Sequence, residues 1–269
     1  MELKLKMPTK DEAEEMFKNF YKETAGDVCN ISYWFPKIEN CGIKVPRTFI
    51  KKVPIEIAKL FTLEQPDAID KIIDWTKEEI EPLIKNLGSL PFIKNGCFSN
   101  KFDFKFAIPH SNYLDVARSI MDIMYQAISY DTGGWAEVAI RERIPYNQNK
   151  TATIYNGMPL RNEYRVFYDF DKKELLYSVN YWDWDYCYKG IEYIATDKII
   201  YETVYPKLQE HFLKMQETVE KLVSKHMKKV EGLSGPWSSD ILEDEAGEFW
   251  LIDMAIAQRS AYWDESKIS

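Results

Sequence analysis

The chain has 269 residues, 45% of them hydrophobic and 14% aromatic, which is ample for a folded core and excludes wholesale disorder. Its net charge of −8 and pI of about 5.2 argue against nonspecific binding to nucleic acid or an anionic membrane, either of which needs a basic face. Four scattered cysteines (Cys29, Cys41, Cys97, Cys187) with no CxxC, and three histidines far from any cysteine pair, give no zinc pattern and fit a reducing compartment.

The start, MELKLKMPTKDEAEEMF, lacks the apolar core of a signal peptide, and no apolar run reaches the ~18 residues of a membrane span, so a cytoplasmic protein is expected. Thr9 reads as an N-cap, with Ala13, Met16, Phe17 and Phe20 as a helical stripe behind it. A Pro- and Gly-punctuated segment then leads to the short strand RTFI. Residues 68–88 carry Ile69, Ile72, Ile73, Ile80, Leu83, Ile84 and Leu87 at helical spacing, interrupted by Pro82 and stopped by Gly88. PFIKNGCFSNKFDF (91–104) reads as strand, loop and strand, and 111–130 as a helix with Leu114, Ala117, Ile120, Met121, Met124 and Ile128 on one side. AEVAIRERIP is a predicted strand, NEYRVFYDF and KELLYSVNYWDW a predicted hairpin, and 205–230 a long helix. SSDILEDEAGEFWLIDMA closes the chain as two strands around Gly247. Without repeats, and with a mostly antiparallel C-terminal half, the pattern is that of an α+β protein.

Side chains alternate faces along a strand, so parity shows which residues look the same way. Glu142 shares a face with Val138, Ile140 and Ile144, and an acid there needs a donor or a ligand. Glu163, Arg165 and Phe167 share another, which reads equally as a structural ion pair or as a site. A symmetric register turning at Ala246–Gly247 puts Asp240 opposite Asp253, on the face of Leu242 and Leu251. Two carboxylates at a cross-strand pair repel, with Cβ atoms ~5 Å apart. A divalent cation turns that repulsion into a site, since Mg²⁺ takes one or two carboxylates plus phosphate oxygens. The aromatics of 180–188, with Asp183 and Asp185, suit an amine or simply cap the core, and Arg143, Arg161 and Arg259 are candidate carboxylate holders.

In order and spacing these segments resemble the ATP-grasp superfamily over about residues 85–260. The lysine strand and small-residue loop PFIKNGCFSNKFDF, the hinge strand VAIRERI, NEYRVFY, and the two-acid terminal hairpin carry the resemblance. LRNEYRVFYDF and YWFPKIENCGIKVPRTFI look most like the clade named for one arginine and two lysines, frequent in phage and bacterial genomes, and EYRVF is also similar to cell-division-cycle 123-like assembly factors. The resemblance implies two α/β subdomains clasping ATP (89–144 a small lid, 145–269 a large part with the metal-binding hairpin) after an N-terminal α/β region, 1–88. It also implies Lys94 on ATP phosphates, Gly96, Ser99 and Lys101 in a covering loop, Glu142 at the adenine hinge and Glu163 near the ribose. Arg165 would then face the γ-phosphate or an acyl-phosphate, with Asp240 and Asp253 on Mg²⁺.

One departure is Ala255, where the family often has an asparagine ligand; Gln258 is a candidate substitute. The implied activity is an ATP- and Mg²⁺-dependent carboxylate–amine ligase acting on a small molecule or peptide. A non-catalytic Mg-ATP-binding assembly factor or regulator is the alternative. A nucleic-acid ligase is disfavoured, because the Lys-x-Asp-Gly motif that takes the nucleotide is here Lys94-Asn95-Gly96, without the aspartate.

Overall fold

Thr9 starts the first helix, α1 (Lys10–Ala25), with a capping box: its hydroxyl accepts from the Glu12 N–H, and the Glu12 carboxylate accepts from the Thr9 N–H at 2.7 Å. The computed structural model describes residues 8–62, 67–191 and 193–268; residues 1–7, part of the stretch read for a leader, lie outside them. Of the predicted stripe on α1, Phe17 and Phe20 lie against the Trp135 ring (centroids 5.6 and 5.2 Å), while Met16 faces water.

The punctuated segment that follows contains a helix after all, α2 (Ile31–Ile38), with Pro36 inside it. Ile31, Trp34, Phe35 and Ile38 are its buried residues, an i, i+3, i+4, i+7 stripe that the proline obscures in the sequence. Then come β1 (Thr48–Lys52), the short α3 (Ile55–Ala58), α4 (Ala68–Trp75) and α5 (Glu81–Leu87). A π turn over Thr76–Ile80 joins the last two, so the interruption precedes Pro82, and Gly88 ends α5 at φ +65°. Ile69 is exposed and does not belong to the stripe.

The order continues with β2 (Pro91–Asn95), α6 (Tyr113–Ser129), β3 (Glu137–Glu142), the two-residue strands β4 (Thr153–Ile154) and β5 (Met158–Pro159), β6 (Glu163–Asp169) and β7 (Glu174–Asn180). It ends with α7 (Trp184–Ile191), α8 (Ala195–Met227), β8 (Pro236–Glu243) and β9 (Phe249–Ile256). On α6 the exposed Leu114 is replaced on the buried side by Val116 and Ile123. Of the residues predicted to extend β7 past Asn180, Tyr181 and Trp182 form a turn and Trp184 opens α7. α8 begins ten residues before the predicted helix and buries Tyr201, Leu208, Phe212, Val219, Val223 and Met227 along one side.

The second strand expected in 91–104 is absent. Asn100 is left-handed (φ +44°) and Lys101–Phe106 is a 3₁₀ turn that buries Phe104 and leaves Phe102 in water. The chain doubles back so that Ala107 O accepts from Ile93 N–H at 2.7 Å, but the 3₁₀ turn before it keeps the segment out of the sheet. The alternating phenylalanines therefore mimicked a strand pattern in a segment that turns beside β2 without joining it.

Two antiparallel sheets position the site, one of order β1-β3-β2 and one of order β7-β6-β8-β9; β4 and β5 pair separately. Tyr164, Val166 and Tyr168 of β6 join Ile241 and Leu251 in a core with Phe212, Val219 and Val223 of α8. The opposite parity, Glu163, Arg165, Asp240 and Leu242, is left for other work. Val138, Ile140 and Ile93 of the first sheet pack with Ile120, Ile123 and Met124 of α6. Among the described residues no helix is long and apolar enough to cross a membrane.

Candidate active site

The expected pairing of Asp240 with Asp253 is present, but by a different route. Near the turn the register is Leu242↔Trp250 and Ile241↔Leu251, one residue off the symmetric one, and a bulge at Ile252 restores it at Asp240↔Asp253. A bulge re-aims side chains. Leu251 consequently lies in the core, not on the face of the two acids, while the consecutive Ile252 and Asp253 both line a cavity.

β6 pairs Arg165 directly with Asp240, so Arg165, Asp240 and Asp253 form a row across three strands. Arg165 holds Asp240 in a fork, Nε to Oδ1 at 2.7 Å and Nη2 to Oδ2 at 2.8 Å, and its third contact is Ala261 O. Burial works to lower the Arg165 pKa, but Asp240 outweighs it and the net direction is up. Lys94, only 2% exposed, reaches over from the other sheet and donates to both oxygens of Asp253 at 2.8 and 2.9 Å. Burial would raise the Asp253 carboxyl; the Lys94 ammonium beside it, with Lys101 and Arg141, brings it below its ordinary value.

One cavity gathers Lys94, Ser99, Lys101, Glu142, Glu163, Asp240 and Asp253 from these elements. Apolar side chains line it as well, and Phe92, Phe104, Ile108 and Met158 among them belong to one cluster. Arg165 and Gly96 are outside its lining. Gly96 donates its N–H to Gly134 O, and a Cβ there would collide with Asn30 Oδ1 and come within 2.9 Å of Glu137 Oε1. Its role in this structure is close packing behind the loop. Glu142 lines the cavity in an ion pair with Arg47 (3.2 Å), so the donor it needed is that arginine.

Burial pushes the Glu163 carboxyl up to about 8; Lys101 opposes the shift and Asp240 adds to it. The unfolded chain releases this proton near 4.5, whereas the folded one keeps it to about 8, so the native state binds more protons in that window. Stability then falls as pH rises through it. Glu163→Gln should therefore gain stability relative to the parent between pH 4.5 and 8, read as urea midpoints against pH. Parallel pH curves for the two proteins would refute this.

Arg141 is the residue that the strand pattern did not single out. It is 3% exposed, donates through Nε to Thr48 Oγ1 (3.1 Å) and through Nη1 to Ile252 O, and its Nη2 has no partner. Burial brings its pKa down to about 10, and Asp253 counteracts part of that. The available signal was parity: Arg141 is a charge between apolar neighbours on β3, on the side of Ala139 away from Val138 and Ile140.

Arg143 binds the carbonyls of Pro91 and Pro109, and Arg259 binds Asp27 at 2.6 Å, so both candidate carboxylate holders are engaged within the chain. Arg161 lines the cavity with an unpartnered Nη2. Gln258 is exposed in a 3₁₀ turn after β9.

Among the described residues, no group of three or more His, Cys, Asp or Glu side chains could hold a metal ion. Two carboxylates meet here, each already bonded to a cation. Such a pair fits a magnesium that arrives with phosphate oxygens completing its shell, rather than a cage built by the protein alone.

No protein-family model matches the chain, and no curated protein does. Solved structures do. Cdc123 from Schizosaccharomyces pombe is 15% identical, with 91% of this chain and 88% of that chain covered at a TM-score of 0.51. The biotin carboxylase domain of 2-oxoglutarate carboxylase from Hydrogenobacter thermophilus, in complex with MgADP, is 10% identical (85% and 39% covered, TM-score 0.43). A RimK domain protein ATP-grasp from Sphaerobacter thermophilus is 11% identical (88% and 60% covered, TM-score 0.38). The chain thus shares its fold with Cdc123 over nearly the whole of both proteins, and ATP-grasp proteins stand among its structural neighbours.

Proposed function

We propose that this chain is an ATP-grasp protein of the clade named for one arginine and two lysines, binding Mg-ATP between its lid (89–144) and large part (145–269) and using it to join a carboxylate to an amine. The observation that carries this reading is the lining of one cavity: an apolar group, Phe92, Phe104, Ile108 and Met158, suited to a base, and a charged set with Lys94, Lys101, Arg141, Asp240 and Asp253 suited to phosphates. Residues 1–88 supply the remaining α/β region.

In this reading Glu142 lies by the base and Glu163 by the ribose. Ser99 and Lys101 belong to the segment over the phosphates, which Gly96 allows to pack closely. The free volume is only about 110 Å³, so that segment moves aside to admit the nucleotide. Asp240 and Asp253 hold magnesium, which when bound supplies charge neutralisation to the transferring phosphoryl group.

Lys94 and Arg165 supply the remaining positive charge. A substrate carboxylate oxygen attacks the γ-phosphorus, the P–O bond to ADP breaks, and ADP leaves with the electron pair. The amine nitrogen then attacks the acyl carbon, the C–O bond to phosphate breaks, and phosphate departs while the amine proton passes to solvent. Catalysis is positioning and charge neutralisation, with no side-chain nucleophile.

A second reading is a Mg-ATP-binding assembly factor without turnover. It is favoured by Asp240 and Asp253 being fully engaged by Arg165 and Lys94, and by Ala255 where a further ligand would stand. An ADP-release screen over amino acids and peptides, with product masses recorded, separates the two. Ligation predicts ADP, phosphate and a condensed product in equal amounts only with the right pair. The assembly-factor reading predicts a Mg-ATP thermal shift, worth ~2–4 kcal/mol at saturation, and no ADP. Absence of any shift rules out both.

A further inference from the structure

We propose that a second cleft, on the other side of the Lys94–Asp253 pair, is the acceptor subsite and takes a primary ammonium group carried on an aromatic or apolar body. The inference rests on the ligase reading and adds to it the place and chemistry of the amine.

The cleft, about 840 Å³, opens between the end of α1, the 131–133 loop and β9. Asp253 lines both it and the nucleotide cavity. A ligand in the cleft therefore reaches Asp253, the residue the two spaces share, and its ammonium gives one proton to solvent before the free amine attacks the activated carboxyl.

The charge of the cleft has one sign. Glu23, Asp27, Asp131 and Asp253 line it against Arg259 alone, and that guanidinium is held by Asp27 at 2.6 Å. Burial pushes the thiols of Cys29 and Cys97, which also line it, up from their ordinary value, so they add no charge at neutral pH. With four acids against one guanidinium, the cleft disfavours an anionic ligand.

A separate observation is the aromatic surface beside these acids. Phe20, 44% exposed although its ring also meets Trp135, and Phe98 both line the cleft, and Tyr130, 58% exposed, lies against Phe98 at 6.3 Å outside that lining. Aromatic faces left open to water next to carboxylates attract an ammonium by its charge and its carbon body together. Ala255 contributes space: it lines the cleft two residues after Asp253, and its short side chain leaves room where a longer one would reach in.

The test is saturation-transfer NMR on the full chain loaded with Mg-ADP, using benzylamine with benzyl alcohol and benzoate as neutral and anionic controls. Benzylamine should bind at least about fivefold more tightly than benzoate, with the preference shrinking as salt rises. The double variant Glu23→Lys/Asp131→Lys, at two exposed positions outside the nucleotide cavity, should weaken benzylamine about five- to tenfold and leave the Mg-ATP thermal shift unchanged. Benzoate binding as well as benzylamine, no benzylamine binding, or a double variant equal to the parent each overturns the subsite. An intact Mg-ATP shift alongside any of these leaves the ligase reading standing. A parent chain with no Mg-ATP shift removes that reading and the subsite with it.

Discussion

Lys94→Met should cost about 3 kcal/mol of stability, and Asp253→Asn added to it should return a substantial part of the loss. The reasoning is that of a buried ion pair: removing one partner leaves an uncompensated charge, typically worth 3–5 kcal/mol, whereas removing both leaves little to compensate. Lys94 is almost fully buried and Asp253 is 28% exposed, which places the expected value at the low end of that range. Methionine keeps most of the lysine's length, so packing loss is small and the measured term is electrostatic. Urea denaturation of the parent, both single variants and the double variant gives a coupling energy of at least ~1 kcal/mol if the pair is real. A single variant within ~0.5 kcal/mol of the parent would show that Lys94 finds other acceptors in solution. The same variants report on function, because the Mg-ATP thermal shift should be lost in both proteins that lack Lys94.

Arg165→Met should be destabilised by about 3–5 kcal/mol, and millimolar Mg²⁺ should recover part of that loss without nucleotide. Arg165 is the counter-ion through which Asp240 tolerates its position opposite Asp253. Without it, two carboxylates face each other across β8 and β9 with one ammonium between them, and a divalent cation becomes the favoured neutraliser. The parent chain, whose acids are engaged by Arg165 and Lys94, should gain little from Mg²⁺ alone. Melting curves with Mg²⁺ and with EDTA decide the matter. Equal Mg²⁺ responses in parent and variant would place the cation elsewhere and withdraw Asp240 and Asp253 as its ligands.

Local pattern accounts for much of what was legible. The Thr9 cap, the apolar spacing of α6, the Gly88 stop and the turn at Gly247 depend on neighbours within a few residues, and each is present. The pairing of Asp240 with Asp253 was also readable, although the symmetric register that suggested it is interrupted by the Ile252 bulge. Pattern failed where a local signal had two solutions. Pro36 concealed the stripe of α2, and the alternating phenylalanines of 102–106 folded as a 3₁₀ turn beside β2 instead of pairing along it.

By itself, then, the sequence determined which residues face together on each strand and helix, and so which charges could not be buried singly: Glu163 and Arg165 on β6, Asp240 and Asp253 on the last hairpin. Only the tertiary structure decided the partners. The packing of one sheet over the other chose Lys94 for Asp253 across 159 residues of chain, left Arg141 with an unpartnered nitrogen in the cavity, and turned Gly96 away from it. Side-chain parity is a property of the backbone a few residues long, whereas the distance between two sheets is the outcome of every core contact between them, and no short segment encodes it.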